Sequence, residues 1–153
     1  MVLSVKPDLQ YALQAEGLPD QDDMETWVMA ALHGRFDEAV ELSIRIVDEH
    51  EGAELNEAFR GKSGPTNVLS FPYDGDVVLS PVLLGDIVIC APVVKKEAAA
   101  QKKLEKAHWC HMVIHGVLHL LGYDHITDQE AEEMEAEEVL ILSALHYANP
   151  YEG

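Results

Sequence analysis

His115-Gly-Val-Leu-His119-Leu-Leu-Gly122-Tyr-Asp-His125 sets three imidazoles at offsets of zero, four and ten, with a glycine at seven. If the stretch is helical, His115 and His119 stand one turn apart. Side chains so spaced are neighbours, about 5–6 Å between Cβ atoms, and both can reach one metal ion. A third ligand must then come from beyond the helix end. Gly122 supplies the means: it can take positive φ, stop the helix in a left-handed residue and turn Tyr123-Asp124-His125 back across the terminus. His115, His119 and His125 are therefore the expected metal ligands. Three protein ligands leave a tetrahedral ion one open position, the mark of a catalytic rather than a structural site.

The spacing H-E-x-x-H-x-x-G-x-x-H defines the metzincin proteases, in which the glutamate after the first histidine is the general base. Here that position is Gly116, which cannot accept a proton. Peptide hydrolysis becomes the less expected chemistry. His111 extends the stripe one turn further back. It lies two turns from His119, about 12 Å of rise, too far to share an ion with bonds of about 2.0–2.1 Å. An outer-shell or substrate-facing place is expected for it, and His33, His50, His108 and His146 read as surface or otherwise satisfied groups. Asp124 has two open readings: acceptor for a ligand ring's second N–H, or turn residue at the helix terminus.

The 153 residues, 48% hydrophobic and 25% charged, suit one ordinary globular domain spanning 1–153. Neither a basic leader with a long apolar run nor a stretch of about 18 apolar residues is seen, so a cytoplasmic protein with no membrane partner is expected. Cys90 and Cys110 fit that compartment as buried apolar fillers. A net charge of −18 argues against a general nucleic-acid coat, and no DNA partner is expected. The charges are unevenly placed. Lys95 to Lys106 holds five of the ten basic residues, and Asp128 to Glu138 holds seven carboxylates without a base. Each run reads either as a local electrostatic feature or as a solvated helix face.

Along the chain, Val2 to Leu13 reads as an edge strand interrupted at Pro7. Trp27, Val28, Ala31 and Leu32 follow helical spacing, with Gly34 closing that helix. Val40 to Val47 alternates apolar and polar, the clearest strand signal in the chain. Asp48 can cap a helix from Glu49 to about Phe59, and a glycine-rich polar loop then feeds a strand at Val68 to Phe71. Leu84 to Cys90 is a further strand, and Pro92 suits the first position of a helix. Two helices, Val93 to Gln101 and Leu104 to Leu121, break near the lysines. Thr127-Asp-Gln-Glu130 is a capping box for a last helix whose apolar face is Ala131, Met134, Ile141 and Leu145. Few strands, many helices and no strict alternation predict an α+β fold, a small mixed sheet with helices packed on it.

Three blocks then fall together. They are Leu55-Asn-x-x-Phe-Arg60-Gly-Lys-x-x-Pro-Thr-Asn-Val-Leu-Ser-Phe-Pro72, Leu84-Gly-Asp-Ile-Val-Ile-Cys90 and the His115–His125 stretch, with Asn149-Pro-Tyr151 agreeing. In these the chain resembles the bacterial YbeY family of metal-dependent endoribonucleases over nearly its whole length. The resemblance implies a zincin-like fold, a zinc ion on His115, His119 and His125, and a catalytic arginine at Arg60. It also implies cleavage of single-stranded RNA: ribosomal RNA, in maturation of the small-subunit 3′ end and in ribosome quality control, with ribosomal or assembly-factor proteins as partners. Gly116 is the family's own residue. The physics of phosphodiester cleavage agrees on Arg60, because a guanidinium keeps its proton and offers fork-shaped hydrogen bonds to phosphate oxygens. Competing readings are a ribosome-assembly factor without essential catalysis and, less expected, a metallopeptidase.

Overall fold

Alternation through Val40 to Val47 puts Val40, Leu42, Ile44 and Ile46 on one buried face, and this segment becomes the central strand β3 (Ala39–Val47). The computed structural model describes residues 2–73 and 81–152. On one side of β3 lie two short parallel strands, β1 (Ser4–Val5) and β2 (Asp8–Tyr11), paired to it in sequence through Ala39–Val40 and Ser43–Ile46. They form one edge strand broken at Lys6-Pro7, because proline has no N–H for the ladder. On the other side β5 (Val82–Cys90) runs parallel to β3, and β4 (Val68–Pro72) runs antiparallel to β5 at the far edge. The sheet is thus mixed, and the α+β expectation holds.

Five helices complete the described fold: α1 (Gln21–Leu32), α2 (Glu49–Arg60), α3 (Ala91–Ala100), α4 (Glu105–Leu120) and α5 (Asp128–Ala144). Their starts follow the local chemistry. Asp20, Asp48 and Thr127 each accept from the third residue of the helix they cap, and Thr127 with Glu130 makes the reciprocal capping box. α3 opens with Pro92 in its first turn, and Lys102, at φ 56, ends it in a left-handed residue before α4 begins.

The sheet is buried on both faces. Ile44, Ile46, Ile87 and Ile89 share the main core with Trp27 of α1, Trp109, Val113 and Val117 of α4, and Met134 and Leu142 of α5. Val47, Leu69, Val88 and Cys90 face the other way, against Leu55 of α2 and Val93 of α3. Each such aliphatic side chain contributes about 1.5–3 kcal/mol by leaving water, so α4 is fixed by its apolar length before any metal is considered. No helix among the described residues is long and apolar enough to cross a membrane.

Both cysteines are free and buried, as expected of apolar fillers. Burial pushes the thiol pKa of each upward, furthest for Cys110. An alkylating reagent at pH 8 is therefore expected to label neither in the native protein and both in denaturant, as intact-mass spectrometry would show. Rapid native labelling of Cys110 would mean that α4 opens locally.

Candidate metal centre

Gly116 lies on the side of α4 that meets the sheet. A Cβ built there would stand 2.9 Å from Ile87 Cγ2 and 3.3 Å from Val68 Cγ2, and the Gly116 carbonyl accepts from Ser70 Oγ at 2.9 Å. The residue after the first histidine therefore sets how closely helix and sheet approach. A glutamate at this position would meet the core instead of a cleft. Gly116→Glu is expected to destabilise the protein by about 1–3 kcal/mol or more through overpacking, and to confer no peptidase activity. Thermal melting and a labelled-casein assay check both halves.

The end of α4 behaves as its glycine suggests. Gly122 takes φ 100, the Tyr123 amide donates to the Leu118 carbonyl at 3.0 Å and the Gly122 amide to His119 at 3.0 Å. Asp124 Oδ1 then accepts from the His125 amide at 2.8 Å, which makes it a turn residue. The chain is thereby folded back, and the three predicted histidines meet. Ring centroids lie 4.6 Å (His115–His119), 5.0 Å (His119–His125) and 5.7 Å (His115–His125) apart. One nitrogen from each falls within 4.8 Å of the other two, and the Nε2 atoms of His115 and His119 are 3.1 Å apart. Tetrahedral bonds of about 2.0–2.1 Å require nitrogens roughly 3.3 Å apart, so small side-chain adjustments would let one ion take all three. Burial, then the neighbouring His115 and His125, lowers His119 to about 4. Its ring is neutral at pH 7 and free to ligate.

Behind the cluster lies Glu138, the last carboxylate of the acidic run that sequence reads as either a surface electrostatic feature or a solvated helix face. That reading is corrected: Glu138 is fully buried. Its Oε2 accepts from His115 Nδ1 at 2.6 Å, and its Oε1 accepts from His111 Nε2 at 2.9 Å and from the Tyr151 hydroxyl. Burial alone would raise this carboxyl, but the hydrogen bonds from His111 and His115 outweigh it and hold the pKa at about 2. Burial and the Glu138 charge push the Tyr151 phenol well up. The arrangement fixes a tautomer: His115 donates from Nδ1 and keeps Nε2 as the lone pair facing His119. His111 thus occupies the outer shell and does not face the cleft. The missed signal is positional, since Glu138 lies four residues after Met134 and three before Ile141, on the apolar stripe of α5.

The histidines share a cleft of about 770 Å³ with Arg60 and with the edge of β4. Arg60 is the last residue of α2, closed by Gly61 at φ 66, whose amide donates to Glu57 at 3.0 Å. Buried Asn56 braces the following loop by donating to the Gly64 carbonyl at 2.8 Å. Arg60 is exposed and has no ion pair among the described residues, unlike Arg35 and Arg45. The lysines from 95 to 106 form no strip at the cleft. Lys96 and Lys106 pair with Glu49 and Asp23, and Lys95 and Lys103 donate to backbone carbonyls.

β4 presents an unusual edge. Tyr73 donates to the Leu84 carbonyl and Cys90 to that of Asn67, so Leu69 and Phe71 turn their backbone groups to β5 while Val68, Ser70 and Pro72 turn theirs outward. The Val68 amide is taken by the Asn67 side chain at 2.7 Å, and Pro72 has none to offer. Asn67 is itself held by Glu97, which also bonds buried His108 at 2.9 Å. Of these three, Ser70 alone keeps a free outward N–H, so a peptide strand would find a single donor along this edge.

Similarity to known proteins agrees with this geometry. The solution structure of TM1509 from Thermotoga maritima is similar in fold, with a TM-score of 0.58, 24% identity, and coverage of 90% of this chain and 91% of its own. A family model described as Endoribonuclease YbeY matches residues 11–146, a span that includes Arg60, the β4 edge and all three clustered histidines. With the match running through every element that builds the cleft, the chain belongs to the YbeY family of endoribonucleases.

Proposed function

We propose that this single-domain chain is a zinc-dependent endoribonuclease that cuts single-stranded RNA, with His115, His119 and His125 holding the ion and Arg60 binding the scissile phosphate. The observation that carries the reading is one cleft containing both a three-imidazole cluster and a guanidinium with no ion pair among the described residues. A zinc ion bound there would supply Lewis acidity toward a phosphoryl oxygen and a lowered pKa for water. The chain's own residues supply the rest. Arg60 offers two parallel N–H donors to the non-bridging oxygens as negative charge builds, and it stays protonated throughout. The outward Ser70 amide is a second donor on the same wall. Glu138 keeps His115 in the ligating tautomer.

Ribosomal RNA is the proposed substrate, in small-subunit 3′-end maturation and late ribosome quality control. A net charge of −18 repels free polyanion, which supports delivery of the RNA by a ribosomal or assembly-factor protein in the cytoplasm.

The test is cleavage of a labelled single-stranded ribosomal RNA fragment by metal-quantified protein, before and after chelation, beside Arg60→Lys. Chelation is expected to abolish cleavage and zinc to restore it. Arg60→Lys is expected to keep its zinc and lose about a hundredfold in turnover, because lysine retains the charge without the fork. Cleavage that survives chelation would remove the metal from the reading, and near-normal turnover by the lysine variant would remove Arg60.

A further inference from the structure

We propose that Phe59 is a stacking platform for an unpaired base of the RNA, set beside Arg60 so that one residue holds the base and the next holds its phosphate. The inference rests on the ribonuclease reading above. Phe59 lies in the last turn of α2 and is 65% exposed, although the strand behind it offers apolar cover. Its ring meets Phe71 of β4 at a centroid distance of 5.0 Å and an angle of 69°, and both rings line the cleft that holds the histidines. Phe71 in turn packs on the buried cluster of Val47, Leu69, Val88 and Cys90. The edge-to-face contact anchors Phe59 in a defined orientation while leaving most of its surface in solvent.

Charge favours such a platform. Arg60 is the one cation lining the cleft among the described residues, on a chain of net charge −18. Binding that relies on phosphate neutralisation needs many cations, and one contact gives little. Stacking carries no such requirement. A base laid on an aromatic ring contributes about 5- to 150-fold in affinity, tolerates any sequence and is largely independent of surface charge. It also selects single strands, because a base inside a duplex already has both faces covered.

The experiment uses the zinc-loaded protein and a single-stranded RNA carrying 2-aminopurine, whose fluorescence falls when it stacks. Phe59→Leu is expected to raise KM about tenfold with kcat within twofold, and to lose the fluorescence drop seen on mixing with wild type. Phe59→Trp is expected to keep both. An RNA with abasic riboses should bind wild type as weakly as normal RNA binds Phe59→Leu, with no further loss when the two changes are combined. An unchanged KM or an undiminished fluorescence drop in Phe59→Leu overturns the stacking role and leaves the ribonuclease reading standing. Failure of wild type itself to cleave or bind the RNA overturns both.

Discussion

His119→Ala is expected to abolish binding of the proposed zinc ion and to lower RNA cleavage by about a thousandfold or more, the several kcal/mol that a bound ion contributes to charge stabilisation in such reactions. His119 is the central member of the cluster, 4.6 Å from His115 and 5.0 Å from His125 between ring centroids. Without it, His115 and His125 remain as two rings stacked 5.7 Å apart, one half-buried and one exposed. Two ligands hold zinc far less well than three, and tautomer control of His115 does not replace the missing bond. The fold should survive, because α4 is seated by Trp109, Val113 and Val117 on its other side. Metal content by mass spectrometry, cleavage rate and near-ultraviolet circular dichroism separate these effects. A folded His119→Ala protein that still carried stoichiometric zinc and cut RNA would exclude the three-histidine site.

Glu138→Ala is expected to act on stability and metal together. It removes the common acceptor of His111, His115 and Tyr151 from a fully buried position, leaving a cavity, a His115 Nδ1–H with no acceptor, and His111 and Tyr151 with only each other at 3.2 Å. Loss of one partner from such a buried charged network costs about 3–5 kcal/mol. Zinc affinity should fall about 10- to 100-fold as His115 loses its orientation. Glu138→Gln, which keeps the volume, separates the two consequences: smaller loss in urea unfolding, with zinc affinity still reduced because an amide has one acceptor oxygen for three donors. Wild-type zinc affinity in Glu138→Gln would show that the carboxylate does not set the ligand geometry.

The contrast between His119 and Glu138 shows what sequence could deliver. Spacings of four and ten residues around Gly122 are local instructions, and backbone geometry turns them into a cluster with little outside help. The capping residues Asp48 and Thr127 and the alternation of β3 were legible for the same reason. Glu138 meets His115 only after α5 has packed across α4, and its neighbours in the chain, six other carboxylates from Asp128 to Glu137, disguise it. Asp124 was the nearer candidate for orienting a ligand ring, yet among the described residues its carboxylate accepts from the His125 amide and from no histidine ring. The order of the sheet was likewise hidden, since nothing local states that β1 and β2 both join the same side of β3 or that β4 closes the other end.

That last strand has a consequence for the chain's life among other copies of itself. An exposed sheet edge is a template on which a second molecule can add a strand, and cleft-lining edges cannot be shielded by a covering helix without closing the site. Here the outward positions are disarmed one at a time: Val68 by Asn67, Pro72 by its own ring, with Ser70 left as an isolated donor between them. One donor cannot register an intermolecular ladder. The β4 edge is therefore a poor template for strand addition by a second copy, although it borders the cleft and has no helix over it among the described residues.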